Sequence, residues 1–122
     1  MEEETALNEE FAIWDGRRLA EMVGGDEEFI VEILTLFLET SGADVQALHR
    51  AANAGDRTSV SRLAHTLKGA SGNVGADAMM DIARQVEEAL QREDDTQVKV
   101  LAEEVVSVFA ATTEHIRRRL TA

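Results

Sequence analysis

Residues 60–74 read VSRLAHTLKGASGNV, and their phasing decides the fold. Val60, Leu63, Ala64, Leu67, Ala70 and Val74 recur at intervals of three and four residues, the spacing that lines one face of an α-helix. The pattern predicts a helix from near Thr58, apolar on its inner side. Turning about 100° per residue sets His65 about 160° from the mean direction of that stripe, so the imidazole points outward. Thr58, Ser61, Arg62, Gly69 and Gly72 share the outer sector, with Lys68 on its flank. His65, Lys68 and Gly69 stand at i, i+3 and i+4 and are therefore neighbours on the helix surface. Gly72-Asn73 offers the turn chemistry to end the helix.

The same periodicity extends to both sides. Upstream, Asp26 is an N-cap followed by Ile30, Ile33, Leu34, Phe37, Ser41, Val45 and Leu48 at helical spacing, which predicts a helix to about Asn53, closed by Gly55-Asp56. Ser41-Gly42 is a place for a bend in it. Val31, Leu36 and Leu38 lie off its main stripe. Leu38 is assigned to packing, whereas Val31 and Leu36 either pack on the preceding helix or belong to a docking surface. Downstream, Met79, Ile82, Ala83, Val86, Ala89 and Leu90 mark a helix from Gly75 or Asp77 to Arg92. Val98, Leu101, Val105, Val108, Phe109, Thr112, Ile116 and Leu120 mark a last one, whose final turn holds Arg117, Arg118 and Arg119 against the negative end of the helix dipole.

Nearer the N-terminus, Asp15 caps a short helix to Val23, with Leu19, Met22 and Val23 turned inward and Gly24-Gly25 ending it. Phe11, Ile13 and Trp14 are expected to fold back as an apolar flap. Residues 1–10 carry five glutamates and read as a flexible acidic lead-in. The expectation is an all-α protein. Residues 11–122 form one domain, an antiparallel up-down-up-down four-helix bundle with the short helix across one end.

Composition narrows the function. A chain of 122 residues with no proline leaves long helices uninterrupted. A net charge of -12 argues against a nucleic-acid or anionic membrane partner. There is no cysteine, no membrane-length apolar run, and an acidic rather than basic start, so a cytoplasmic protein is expected. His49 and His115 lack metal-ligand spacing, and Glu87-Glu88 and Glu103-Glu104 read as solvated faces, so no metal site is expected.

One exposed histidine is ordinarily just a solvated side chain. Two glycines on the same exposed face are less ordinary, because each weakens a helix by about 1 kcal/mol. Room for a docked partner or a bulky ligand is a reason to keep them. An imidazole nucleophile, an ammonium favouring added negative charge and a glycine leaving space together suit acceptance of a phosphoryl group.

AHTLKGASGNVGA, residues 64–76, resembles the signature of histidine-containing phosphotransfer domains of bacterial phosphorelays. The likeness extends to FLETSGADVQALHRAANAGD, residues 37–56, and to the Glu87-Glu88 region. It implies a four-helix bundle in which His65 accepts a phosphoryl group from a receiver-domain aspartate and gives it to another receiver domain. The partners implied are the receiver domains of a hybrid histidine kinase and a response regulator. Lys68 would neutralise the phosphate, Gly69 and Gly72 would give clearance, and Thr58, Ser61 and Arg62 would face the partner. The chain would be a monomeric stoichiometric carrier rather than an enzyme, with no cofactor of its own and Mg²⁺ on the receiver. Related sequences often place a glutamine where Glu87 stands, with Gln85 two residues before it; a carboxylate there would repel phosphate. An adaptor that docks receivers without carrying phosphate, and the phosphotransfer domain of a larger hybrid or chemotaxis-type kinase, remain alternatives. Met1 and the short lead-in favour a stand-alone protein.

Overall fold

The computed structural model describes residues 12–121. Among them lie five helices: α1 Gly16–Met22, α2 Glu27–Ala54, α3 Arg57–Val74, α4 Asp77–Gln91 and α5 Asp95–Thr121. Connections of two or three residues force α2 to α5 to run antiparallel to their chain neighbours, and α5 closes the ring by packing on α2. The core is the set of stripes read from the sequence: Leu34, Val45, Leu48, Val60, Leu67, Met79, Val86, Val105 and Ile116 are all fully enclosed. Helix α2 runs unbroken through Ser41-Gly42, over which the Phe109 ring packs.

Aspartates cap α2, α3 and α5. Asp26 accepts from the Phe29 amide at 3.2 Å, Asp56 from the Ser59 amide at 3.2 Å and Ser59 Oγ at 2.6 Å, and Asp94 from the Gln97 amide at 3.0 Å. The Ser59 hydrogen bonds hold the Asp56 carboxyl below its ordinary pKa of 3.8. Across the bundle, Arg57 grips Asp95 through two hydrogen bonds of 2.7 and 2.8 Å and lowers that carboxyl too.

The end of α3 differs from expectation. The helix continues through Gly72-Asn73 to Val74 and stops at Gly75, which takes the left-handed conformation at φ 81°. There the Gly75 amide donates to Gly72 O and the Ala76 amide to Ser71 O at 2.9 Å, satisfying the final carbonyls. Gly72-Asn73 resembles a turn locally, but only the later glycine adopts the geometry that closes the helix.

This corner is tied to the N-terminal segment. The Asp15 amide donates to Gly75 O at 3.0 Å, and Trp14 Nε1 donates to Val74 O at 2.8 Å. Arg18 pairs with Asp77. Helix α4 has no side-chain cap at Ala76, and its first-turn amide at Ala78 donates instead to Ala12 O at 3.1 Å. Thus α1 sits across the end where α2 begins and α3 finishes. Ile13 is buried and Trp14 half-buried, as a flap requires; Phe11 and the acidic lead-in lie outside the described residues. Met22 departs from expectation at 62% exposure, because α1 has only seven residues and Leu19 alone faces fully inward. Leu38 packs on the core, whereas Val31 and Leu36 stay exposed and are not covered by α1.

Candidate functional site

The inner stripe of α3 fixes what its outer face presents. With Leu63, Ala64 and Leu67 locked into the core, His65 is driven to solvent, and its side chain is 76% exposed. Helix α4 packs beside it, anchored by Ala83, Val86 and Ala89, and this brings Glu87 to the seam between the two helices. Glu87 touches both His65 and Lys68 of α3. Its Oε1 lies 2.6 Å from Lys68 Nζ and its Oε2 3.4 Å from His65 Nδ1. Glu88, adjacent in sequence, turns away to pair with Arg84 at 2.5 Å.

This geometry assigns the imidazole nitrogens. An ionised carboxylate only accepts hydrogen bonds, so in the tautomer that bonds Glu87 across this 3.4 Å contact Nδ1 carries the hydrogen and Nε2 keeps its lone pair. The free nitrogen is the one not engaged by Glu87. His65 therefore offers a nucleophile to solvent, while Lys68, half-buried at the seam, holds a positive charge one turn away.

The two glycines separate in role. A Cβ on Gly69 would meet nothing within 4 Å, so no internal contact requires a glycine there. A Cβ on Gly72 would approach Met80 Sδ at 3.1 Å, so close packing of α3 on α4 accounts for that one. Thr58, Ser61 and Arg62 are exposed on the outer sector and, with Arg57 and Leu90, line an open depression of about 450 Å³ towards the start of α3. Helix α3 carries Arg57, Arg62 and Lys68 and no acidic residue, with Arg57 paired to Asp95 and Lys68 to Glu87. Among the described residues there is no cluster of histidine and carboxylate side chains able to hold a metal ion, and no helix long and apolar enough to cross a membrane.

The contact that sequence reasoning missed is the Lys68–Glu87 pair. Repulsion between Glu87 and phosphate was the expected consequence of that carboxylate; its engagement of the lysine before any phosphate arrives was not. The signal was present in the position of Lys68 on the flank of the outer sector, which is where a neighbouring helix must pack.

A family model for the Hpt domain matches residues 32–120, a span that holds α3, α4 and the whole site. The chain belongs to the Hpt family. Hpt domains are phosphocarriers that serve histidine phosphotransfer in two-component signalling and interact with receiver domains. This Hpt protein is similar in structure to histidine-containing phosphotransfer protein B (HptB) from Pseudomonas aeruginosa PAO1, with a TM-score of 0.78 and 29% identity over 88% of this chain and 93% of that one. A comparison with curated proteins finds no match. The helical bundle expected of an Hpt domain is the one observed.

Proposed function

We propose that this chain is a monomeric cytoplasmic phosphoryl carrier, and that His65 accepts a phosphoryl group from the aspartate of one receiver domain and delivers it to another. The observation that supports this most strongly is the exposed imidazole, held through Nδ1 by Glu87 with Nε2 free, inside the segment matched as an Hpt domain. In the accepting step the Nε2 lone pair attacks the phosphorus of an aspartyl phosphate. The Nε2–P bond forms as the acyl O–P bond breaks, and the aspartate leaves as a carboxylate. The ring becomes an imidazolium whose Nδ1–H points at Glu87. Delivery is the reverse step on a second receiver. No group on the carrier needs to be reset between them.

Lys68 supplies positive charge next to the incoming phosphoryl oxygens. Gly69 leaves the space they and the receiver's rim require. Thr58, Ser61 and Arg62 face the receiver, whose phosphorylation pocket is acidic, and Arg62 supplies positive charge there. Charge complementarity of that kind favours encounter and register. The Mg²⁺ needed for transfer belongs to the receiver's carboxylates, and the carrier needs no cofactor.

The test is a relay in which one phosphorylated receiver domain with Mg²⁺ is mixed with the protein and a second, unphosphorylated receiver. Label is expected to reach the second receiver through this chain, and His65→Gln is expected to abolish passage while binding to receivers survives. Passage of label undiminished in His65→Gln contradicts the carrier role and favours an adaptor.

A further inference from the structure

The Glu87 carboxylate is placed so that it opposes the phosphorylated state of the very histidine it orients. Before phosphorylation, Glu87 takes Lys68 in a 2.6 Å ion pair and contacts Nδ1 of His65 with its other oxygen. A phosphoryl group on Nε2 brings about two negative charges to within several ångströms of that carboxylate. Lys68 then has two anionic suitors, and whatever it gives the phosphate it withdraws from Glu87. The repulsion and the broken pair both raise the energy of the phosphorylated form. A third effect acts on the rate of discharge rather than on the energy of the loaded form, which the attraction between Glu87 and the protonated ring partly lowers. Glu87 stabilises the Nδ1–H of the ring, and a phosphoimidazole that keeps this proton is the better leaving group, because the departing imidazole is neutral rather than anionic.

We propose that Glu87 is a positioning residue that sets the phosphoryl-transfer potential of His65, making the phosphorylated protein a short-lived donor rather than a store. The inference rests on His65 being the carrier and adds to it a direction: the ground state of the loaded protein is destabilised towards discharge. The groups facing the ring are few. Glu87 from α4 and Lys68 from α3 are the charged partners at the seam, Arg62 stands one turn earlier on the exposed face of α3, and Arg84, one turn before Glu87 on α4, is occupied by Asp81 and Glu88. Glu87 is therefore the carboxylate placed to hold the ring proton.

Glu87→Gln keeps the shape and an oxygen that accepts from Nδ1 while removing the charge. Coulomb repulsion at partly screened distances and the freed lysine together correspond to about a tenfold change in the equilibrium.

The experiment loads wild-type protein and Glu87→Gln with phosphoramidate, whose P–N bond breaks with release of ammonia as the Nε2–P bond forms. After removal of the donor, the lifetime of the phosphorylated form is followed by intact mass across the pH range, and the protonation of the phosphorylated ring by ¹⁵N NMR. Glu87→Gln is expected to reach a higher loaded fraction against a fixed ammonia concentration, to discharge about tenfold more slowly near neutral pH, and to lose its ring proton at lower pH than wild type. In a Lys68→Met background the effect of Glu87→Gln is expected to shrink, because the contest for the lysine is gone. Equal lifetimes and equal ring titration in the two proteins, or a shorter lifetime in Glu87→Gln, overturn the proposal. Wild-type protein that loads at a residue other than His65, or not at all, overturns instead the carrier reading on which it rests.

Discussion

Gly69→Ala should make the protein more stable and less active at once. Position 69 lies in the interior of α3, exposed, and a Cβ built there meets nothing within 4 Å. The substitution thus adds no clash and removes the backbone entropy that glycine loses on entering a helix, which is worth about 1 kcal/mol in favour of alanine. For a domain of this size that raises Tm by about 4 °C. The new methyl also stands on the surface beside His65, one turn along, with Cβ atoms about 6 Å apart. If the empty volume over Gly69 is where phosphoryl oxygens and the receiver's rim sit, forcing a methyl into it costs about 1–3 kcal/mol in the transfer complex, or roughly five- to 150-fold in rate. Thermal melts followed by circular dichroism give the first quantity, and rapid-quench transfer from a phosphorylated receiver gives the second. A stabilised variant that transfers at the wild-type rate would show that the glycine provides no clearance. A destabilised variant would show that the space over it is not open.

Three further outcomes follow from the packing. Ser71 Oγ is buried without a hydrogen-bond partner, so Ser71→Ala should raise the denaturant midpoint, by about 1 kcal/mol in stability; a lower midpoint would mean that the hydroxyl is satisfied. Gly75→Ala places a side chain at φ 81° and drives its Cβ into the Asp15 carbonyl, which should cost at least about 2 kcal/mol. It should also free Trp14, the only tryptophan, so that its fluorescence shifts to the red, and unchanged emission would show the flap still docked. The Asp56 carboxyl is held below 3.8 by Ser59 in the folded chain, so the unfolded chain binds the proton first as pH falls. Its contribution is complete above that value and is lost as pH drops through the lower, folded one. Asp56→Asn should therefore flatten the acid side of a Tm-against-pH curve, and an unaltered slope between pH 4 and 2 would contradict the assignment.

How far the sequence could be read depended on whether a residue's role was written in its own helix. The stripes of α2 to α5 were legible because each repeats over several turns, and the outward direction of His65 followed from the inward direction of Leu63 and Leu67. The end of α3 was misplaced because Gly72-Asn73 and Gly75 look alike in one dimension; what separates them is Met80 pressing on the first and the Asp15 amide bonding the carbonyl of the second. Met22 was misjudged because a seven-residue helix laid across a bundle end buries one side chain rather than a stripe. The site itself was half legible. His65, Lys68 and Gly69 share one helix and their spacing sets them side by side, whereas Glu87 reaches them from α4, whose register is set by packing.

The central claim is tested most directly by finding the phosphoryl group. Protein loaded by a phosphorylated receiver domain with Mg²⁺, digested at neutral pH and mapped by mass, with ¹⁵N NMR on labelled histidine, should show one acid-labile adduct on His65 at Nε2. An acid-stable adduct, one on His49 or His115, or one on Nδ1 of His65 would contradict it.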